Sequence, residues 1–182
     1  MDRFEPLRRR TIALVGLMGA GKSSVGRRLA NALGLPFRDA DTEVETAAGR
    51  SISEIFADLG EPAFRDGERR VIARLLEGPP HVMATGGGAF MSQETRTLIK
   101  ARAVSVWLKA DLDVLARRVG RKDSRPLLAG KDAIDVLRAQ AEARYPAYAE
   151  ADITVETGDA AHHVTVSQVI DALAAHLGEP AE

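Results

Sequence analysis

The stretch Gly16-Leu17-Met18-Gly19-Ala20-Gly21-Lys22-Ser23 sets glycines, a lysine and a hydroxyl in the pattern G-x-x-x-x-G-K-[ST]. Glycines there let backbone N–H groups converge on phosphate oxygens, and a helix starting behind them adds the positive end of its dipole. Gly19, Ala20, Gly21 and Ser24 complete the cradle, Lys22 reaches the β- and γ-phosphates, and the Ser23 hydroxyl ligates Mg²⁺. The chemistry is the binding of a nucleoside triphosphate. Two carboxylates, Asp39 and Asp41, close a short apolar run and sit at the edge where such a ligand binds. If the strand continues through them, alternation puts them on opposite faces. One then faces Mg²⁺ and Lys22 and the other a second substrate, whose hydroxyl it can orient and deprotonate. The competing role for Asp41 is to cap the next helix.

Thr85-Gly86-Gly87-Gly88 follows another apolar run, and glycines in that place let a ligand approach backbone N–H groups. A flexible turn into a helix beginning near Ser92 is the plainer reading. Three arginines stand out by context: Arg65 after Phe64, Arg125 before Pro126, and Arg144 two residues before Pro146. Guanidinium is the planar clamp for carboxylate and phosphate. Taken singly, each also reads as a solvated surface charge.

These residues need a scaffold that brings them together. Strand-like runs recur at Thr11–Val15, 36–39, Val82–Thr85, Val104–Leu108 and Ile153–Val155. Helical periodicity lies between them: Val25, Leu29 and Leu33 before Gly34; the capping box Ser51-x-x-Glu54; and Phe64 to Leu76, stopped by Gly78-Pro79-Pro80. Further helices are expected over Leu112–Val119 behind Asp111, from about Asp132 towards Tyr145, and through Val169, Ile170, Leu173 and Leu177. Strands alternating with helices predict a parallel sheet covered on both faces. The fold class expected is α/β in one domain over residues 1–182. The substrate-binding segment spans about 39–68, and a lid in the long basic loop spans about 119–132.

Bulk properties narrow the function further. A chain of 182 residues suits one well-cored domain, and a formal charge of −1 offers no polyanion such as nucleic acid a bulk partner surface. Without cysteine there are neither disulfides nor thiolate sites, which suits a reducing cytosol. Arg8-Arg9-Arg10 before an apolar stretch imitates a signal peptide, but that stretch is the first strand and phosphate loop. The first ten residues are read as a frayed lead-in to that strand. No apolar run is long enough for a membrane span, and the small size without an apolar surface helix favours a monomer. The single asparagine, Asn31, lies inside a helix, so the Asn-Lys-x-Asp signature of guanine recognition is missing. Gly86–Gly88 stands where motor ATPases carry an acidic pair.

In order, the phosphate loop, Asp39-x-Asp41, Gly60–Glu68 with its Phe64-Arg65, Gly86-Gly87-Gly88, Arg125-Pro126-Leu127-Leu128 and Arg144-Tyr145-Pro146-Ala147-Tyr148 resemble the shikimate kinases from about residue 11 to residue 158. The resemblance implies a nucleoside-monophosphate-kinase-like fold with a five-stranded parallel sheet. It implies phosphorylation of the 3-hydroxyl of shikimate by ATP with Mg²⁺, on the way to chorismate and the aromatic amino acids. It further implies that Arg65 and Arg144 hold the shikimate carboxylate, that Asp41 holds its ring hydroxyls, and that Gly87 offers a backbone N–H. Asp39 acts on Mg²⁺ through water, and Arg125 sits on the transferring phosphoryl beside Lys22. The adenine contact stays open among Arg117, Arg118 and Arg121, and Thr157–His163 gives no match to the family's adenine-side loop. His162 and His163 read as a solvated turn. The rivals are a gluconate kinase on the same fold, a nucleotide kinase, and a silent nucleotide-binding module. The lid Arg-Pro-Leu-Leu, the missing Gly-Phe-Pro-Arg segment and the intact Lys22 argue against each in turn.

Overall fold

The computed structural model describes residues 4–120 and 132–178. Within them, five parallel strands lie in the order β2-β3-β1-β4-β5. They are β1 (Thr11–Val15), β2 (Phe37–Asp39), β3 (Val82–Ala84), β4 (Ala103–Ala110) and β5 (Ile153–Thr157). The helices are α1 (Lys22–Leu33), α2 (Ala40–Ala48), α3 (Ile52–Leu59), α4 (Glu61–Glu77), α5 (Gln93–Arg102), α6 (Leu112–Gly120), α7 (Ala133–Tyr148) and α8 (His162–His176). Each β1 residue is buried, as a central strand covered on both faces demands. Edge strand β5 alternates buried and exposed instead. Register places Leu14 and Asp39 both opposite Ala84, so the chain leaves β1, β2 and β3 at one level of the carboxyl edge. That shared level is what gathers the site.

Most of the core is one cluster around the sheet, but Val44, Ile55, Phe64 and Val71 form a second, smaller one among α2, α3 and α4. The capping box is present at α3, with the Ser51 hydroxyl accepting from the Glu54 N–H and the Glu54 carboxylate from the Ser51 N–H.

Three expectations change. Of the ten residues expected to be frayed, 1–3 lie outside the described residues and 6–9 are ordered: Pro6–Arg9 form a 3-10 turn, Leu7 is buried and Arg8 donates to the Leu33 carbonyl. Helix α7 runs on through Pro146 to Tyr148, because burying Ala147 and Tyr148 outweighs the backbone bond that proline forfeits. Most directly for the site, β2 stops at Asp39 and α2 starts at Ala40, so Asp39 and Asp41 do not alternate along a strand.

His81 is buried beside the start of β1, its Nδ1 2.9 Å from the Pro79 carbonyl and its Nε2 without a protein partner. Burial first, and then Arg38, pushes its pKa down, against the Pro79 carbonyl and Glu43. A histidine lowered on folding contributes stability above its unfolded value of about 6.5, and that stability is lost as pH falls through the folded value. Thermal melts at pH 7.5 and 5.5 should therefore show a smaller drop in His81→Asn than in the parent. The comparison between the two proteins is needed because Asp41 and Glu68, both raised, act in the opposite direction.

Candidate active site

The turn from β1 into α1 carries the phosphate loop. Gly21 caps α1 with φ 90°, a conformation side chains rarely adopt, and no side chain covers the helix N-terminus. The Lys22 ammonium lies across the loop, donating to the carbonyls of Gly16 at 2.7 Å and Leu17 at 2.9 Å. A cavity of about 640 Å³ opens over this loop. Gly19, Gly21, Lys22, Ser23 and Ser24 line it, as do Asp39, Asp41, Thr85, Gly86 and Gly87 at one end. Arg118 and residues 159–162 line it too.

Asp39, not Asp41, is the helix cap. Its Oδ1 accepts from the N–H groups of Asp41 and Thr42, and its Oδ2 accepts from the Ser23 hydroxyl at 2.8 Å. The first turn of α2 therefore places Asp41 in the cavity with its carboxylate spared from capping. Burial and the neighbouring Asp39 hold the Asp41 pKa above the ordinary carboxylate value, against the pull of Lys22 and Arg65.

The glycine triplet has a steric explanation that no single-residue reading supplied. A Cβ on Gly86 would stand 2.7 Å from the Asp41 Oδ1, one on Gly87 3.0 Å from an Arg144 nitrogen, and one on Gly88 inside the Arg65 guanidinium. Each missing side chain makes room for a different polar group, from α2, α7 and α4 respectively. The turn is also held by its carbonyls. Ala89 N–H donates to Gly86 at 3.2 Å, Met91 N–H to Gly88 at 3.2 Å, and the Tyr148 hydroxyl to Gly87. Tyr148 is fully buried against Trp107 and Tyr145, with its phenol pushed up to about 12, chiefly by burial.

Sequence reasoning passed over Glu68. It is 3% exposed, binds Arg65 at 2.9 Å through Oε1, and leaves Oε2 without a protein partner, 3.2 Å from where a Gly86 Cβ would be. Burial, and to a lesser degree Asp41, raises its pKa although Arg65 and Arg144 oppose the rise. Its position three residues after Arg65 on a helix was the available signal. Arg118 was one of three candidates and lines the cavity, donating to the carbonyls of Gly19 at 3.2 Å and Gly158 at 3.1 Å. Arg117 instead pairs with Asp159 at 3.3 Å, and Arg121 lies outside the described residues. His162 is not in a solvated turn: it is the first residue of α8, and it lines the cavity together with Arg118. Arg125 also lies outside the described residues, with most of the segment 119–132.

The shikimate kinase family model matches residues 18–174. The chain belongs to the shikimate kinase family. A shikimate kinase from Caulobacter vibrioides (strain NA1000 / CB15N) is 73% identical over 172 residues, covering 94% of this chain and 86% of that protein. Among solved structures, the shikimate kinase from Acinetobacter baumannii in complex with shikimate superposes with a TM-score of 0.89 at 35% identity. It covers 94% of this chain and 97% of its own. A gluconokinase from Sinorhizobium meliloti 1021 reaches a TM-score of 0.62 at 20% identity over 92% of this chain and 93% of its own. That likeness is one of fold. The family assignment and the five-stranded parallel sheet thus agree with the sequence, and the gluconate kinase rival shares only the architecture.

Proposed function

We propose that the cavity transfers the γ-phosphoryl group of ATP to the 3-hydroxyl of shikimate, with Asp41, Arg65 and Arg144 holding the acceptor against Gly86–Gly88. The observation that carries this reading is the packing of those three side chains against three consecutive glycines, beside the phosphate loop. Shikimate is a small carboxylate with three hydroxyls. Arg65 and Arg144 pair with its carboxylate, Asp41 accepts from ring hydroxyls, and the Gly87 N–H donates to the same molecule. Glu68 holds one terminal nitrogen of Arg65 at 2.9 Å, and the substrate carboxylate takes the place of the longer, exposed contact of the other nitrogen with Glu61 at 3.4 Å.

Lys22 exchanges its loop carbonyls for β- and γ-phosphate oxygens, and the N–H groups of Gly19 to Ser24 complete the phosphate cradle. Asp41 orients the acceptor hydroxyl in line with the γ-phosphoryl and takes its proton, a task suited to its raised pKa. Arg125 compensates charge on the transferring group. At the far end of the cavity the base lies between Arg118 and His162.

The donor set fits Mg²⁺. Ser23 and Asp39 offer a hydroxyl and a carboxylate 2.8 Å apart, the sparse oxygen set on which this ion is held with phosphates and retained water. Among the described residues no group of three or more His, Asp or Glu forms a cage. Held there by Ser23 and Asp39, the ion would supply positive charge against the phosphates. Among the described residues no helix is long and apolar enough to cross a membrane, and we read the enzyme as a cytoplasmic monomer.

ADP release with MgATP, measured alone and with shikimate, gluconate or a nucleoside monophosphate, tests the assignment. Stimulation by shikimate alone supports it, and stimulation by another acceptor overturns it. A smaller substitution tests the acceptor half-site: Gly88→Ala forces the Arg65 guanidinium aside. The KM for shikimate should rise by about tenfold or more, the loss of one charged hydrogen bond, with the KM for ATP unchanged. Equal rises in both would instead indicate a general loss of structure.

A further inference from the structure

A second cavity, of about 570 Å³, opens among α2, α3 and α4 and shares no lining residue with the first. Its apolar wall is the segment's own small core, including Val44, Ile55, Phe64 and Val71. Leu59 also lines it, although 59% exposed. Phe64 is the aromatic residue of the lining, and its ring packs 4.9 Å from that of Phe56.

Gly67 lines the hollow from the interior of α4, where a glycine weakens the helix. The other glycine inside a helix, Gly26, is explained by packing, because its Cβ would stand 2.7 Å from the Phe37 ring. A Cβ on Gly67 would meet no atom within 4 Å. Among the described residues none fills the space that this glycine keeps open.

Charge on the rim is one-sided. Arg50, Arg70 and Arg74 line the cavity and no carboxylate does. Arg50 is matched by Asp58. Arg70 shares Asp66 with Arg69, at 3.0 and 2.5 Å, and Arg74 shares Glu43 with Arg38, both at 3.7 Å. Arg69 is met by Glu94 as well, at 3.3 Å, so Arg70 and Arg74, one helical turn apart and 75% and 60% exposed, each keep an ion pair of their own while presenting guanidinium to a lining without carboxylates among the described residues.

We propose that this hollow binds a small aromatic monocarboxylate, the carboxylate between Arg70 and Arg74 and the ring over Gly67 against Phe64. Guanidinium pairs take a carboxylate with defined geometry, and aromatic rings favour offset or edge packing on one another. The volume lies within the roughly 300–1,000 Å³ usual for small-molecule sites. The hollow shares no lining residue with the first cavity, but its Phe64 ring lies 5.0 Å from the Arg65 guanidinium, so the two sites adjoin.

The test is a titration of 3-phenylpropanoate into the whole protein at saturating shikimate and MgADP, followed by backbone amide NMR. Saturable shifts centred on residues 63–74 are expected. Affinity should fall by about tenfold or more for 3-phenylpropanamide and for the double variant Arg70→Ala/Arg74→Ala, as loss of charged hydrogen bonds implies. Gly67→Leu, which fills the hollow, should abolish binding. If circular dichroism shows that variant unfolded, the exposed arginine pair decides alone. The proposal is overturned by an absence of shifts up to the solubility limit, by shifts centred on Lys22 and Gly86–Gly88, or by equal affinity for the amide or the double variant. A concentration-dependent mass in sedimentation that Gly67→Leu removes would also overturn it, by assigning the hollow to a second copy of the chain.

Discussion

Replacing Asp41 with asparagine should lower kcat by about 10²–10⁴-fold, the usual contribution of a positioned general base. Asparagine keeps the size and hydrogen-bonding reach of the side chain but cannot accept the proton from the acceptor hydroxyl. Shikimate affinity, measured directly by calorimetry, should change far less than kcat, since Arg65, Arg144 and the glycine turn remain. A near-parental kcat would remove the base role and leave Asp41 as a positioning group. The same variant should melt at a higher temperature at pH 7. Burial and Asp39 raise the folded-state pKa of Asp41. The ionised form is therefore disfavoured by folding, and that penalty is fully present above the folded pKa and relieved as pH falls below the unfolded value of about 3.9. Asparagine carries no such penalty. The stabilisation should accordingly shrink towards acid pH, which separates it from a packing effect.

Arg125→Ala should lower kcat by about 10³–10⁵-fold, the range for an arginine on a transferring phosphoryl group. Among the described residues the cations divide by task. Lys22 lies in the phosphate loop, Arg118 is tied to the carbonyls of Gly19 and Gly158, and Arg65 and Arg144 flank the glycine turn. For charge developing on the transferring group we propose a further partner beside Lys22, Arg125 in the basic loop of the sequence. Direct binding of shikimate should be nearly unchanged in this variant. A loss confined to shikimate affinity, with kcat intact, would reassign Arg125 to the acceptor clamp.

Much of the molecule was legible because its signals are local. The phosphate loop, the capping box at Ser51 and the helix stop at Gly34 each depend on a few consecutive residues. Asp39 and Asp41 were found together, but their division of labour turned on where β2 ends, which alternation cannot fix for so short a strand. Pro146 misled for a related reason: a local helix breaker lost to long-range burial of Tyr148. The triple glycine was recognised as a site, whereas its cause, three side chains from three helices, exists only after folding. Glu68 and His162 were missed on the same grounds. One looks like an ordinary helical ion-pair partner and the other like part of a polar turn, until burial and the cavity are known.

The phosphate loop and the acceptor clamp also differ in how they come into being. Every residue of the loop lies in the first strand–helix unit, so a nascent chain carries that half of the site early in synthesis. Asp41 and Arg65 come next, then the glycine turn. Arg144 and Tyr148, on α7, arrive only when most of the polypeptide has been made. The residues of the loop are thus made first, but their conformation waits for β3 and β4, which pair with β1 on either side, and for α6, on which Gly19 packs. If Arg144 holds the acceptor as proposed, acceptor binding doubles as a readout that α7 and the far half of the sheet have docked.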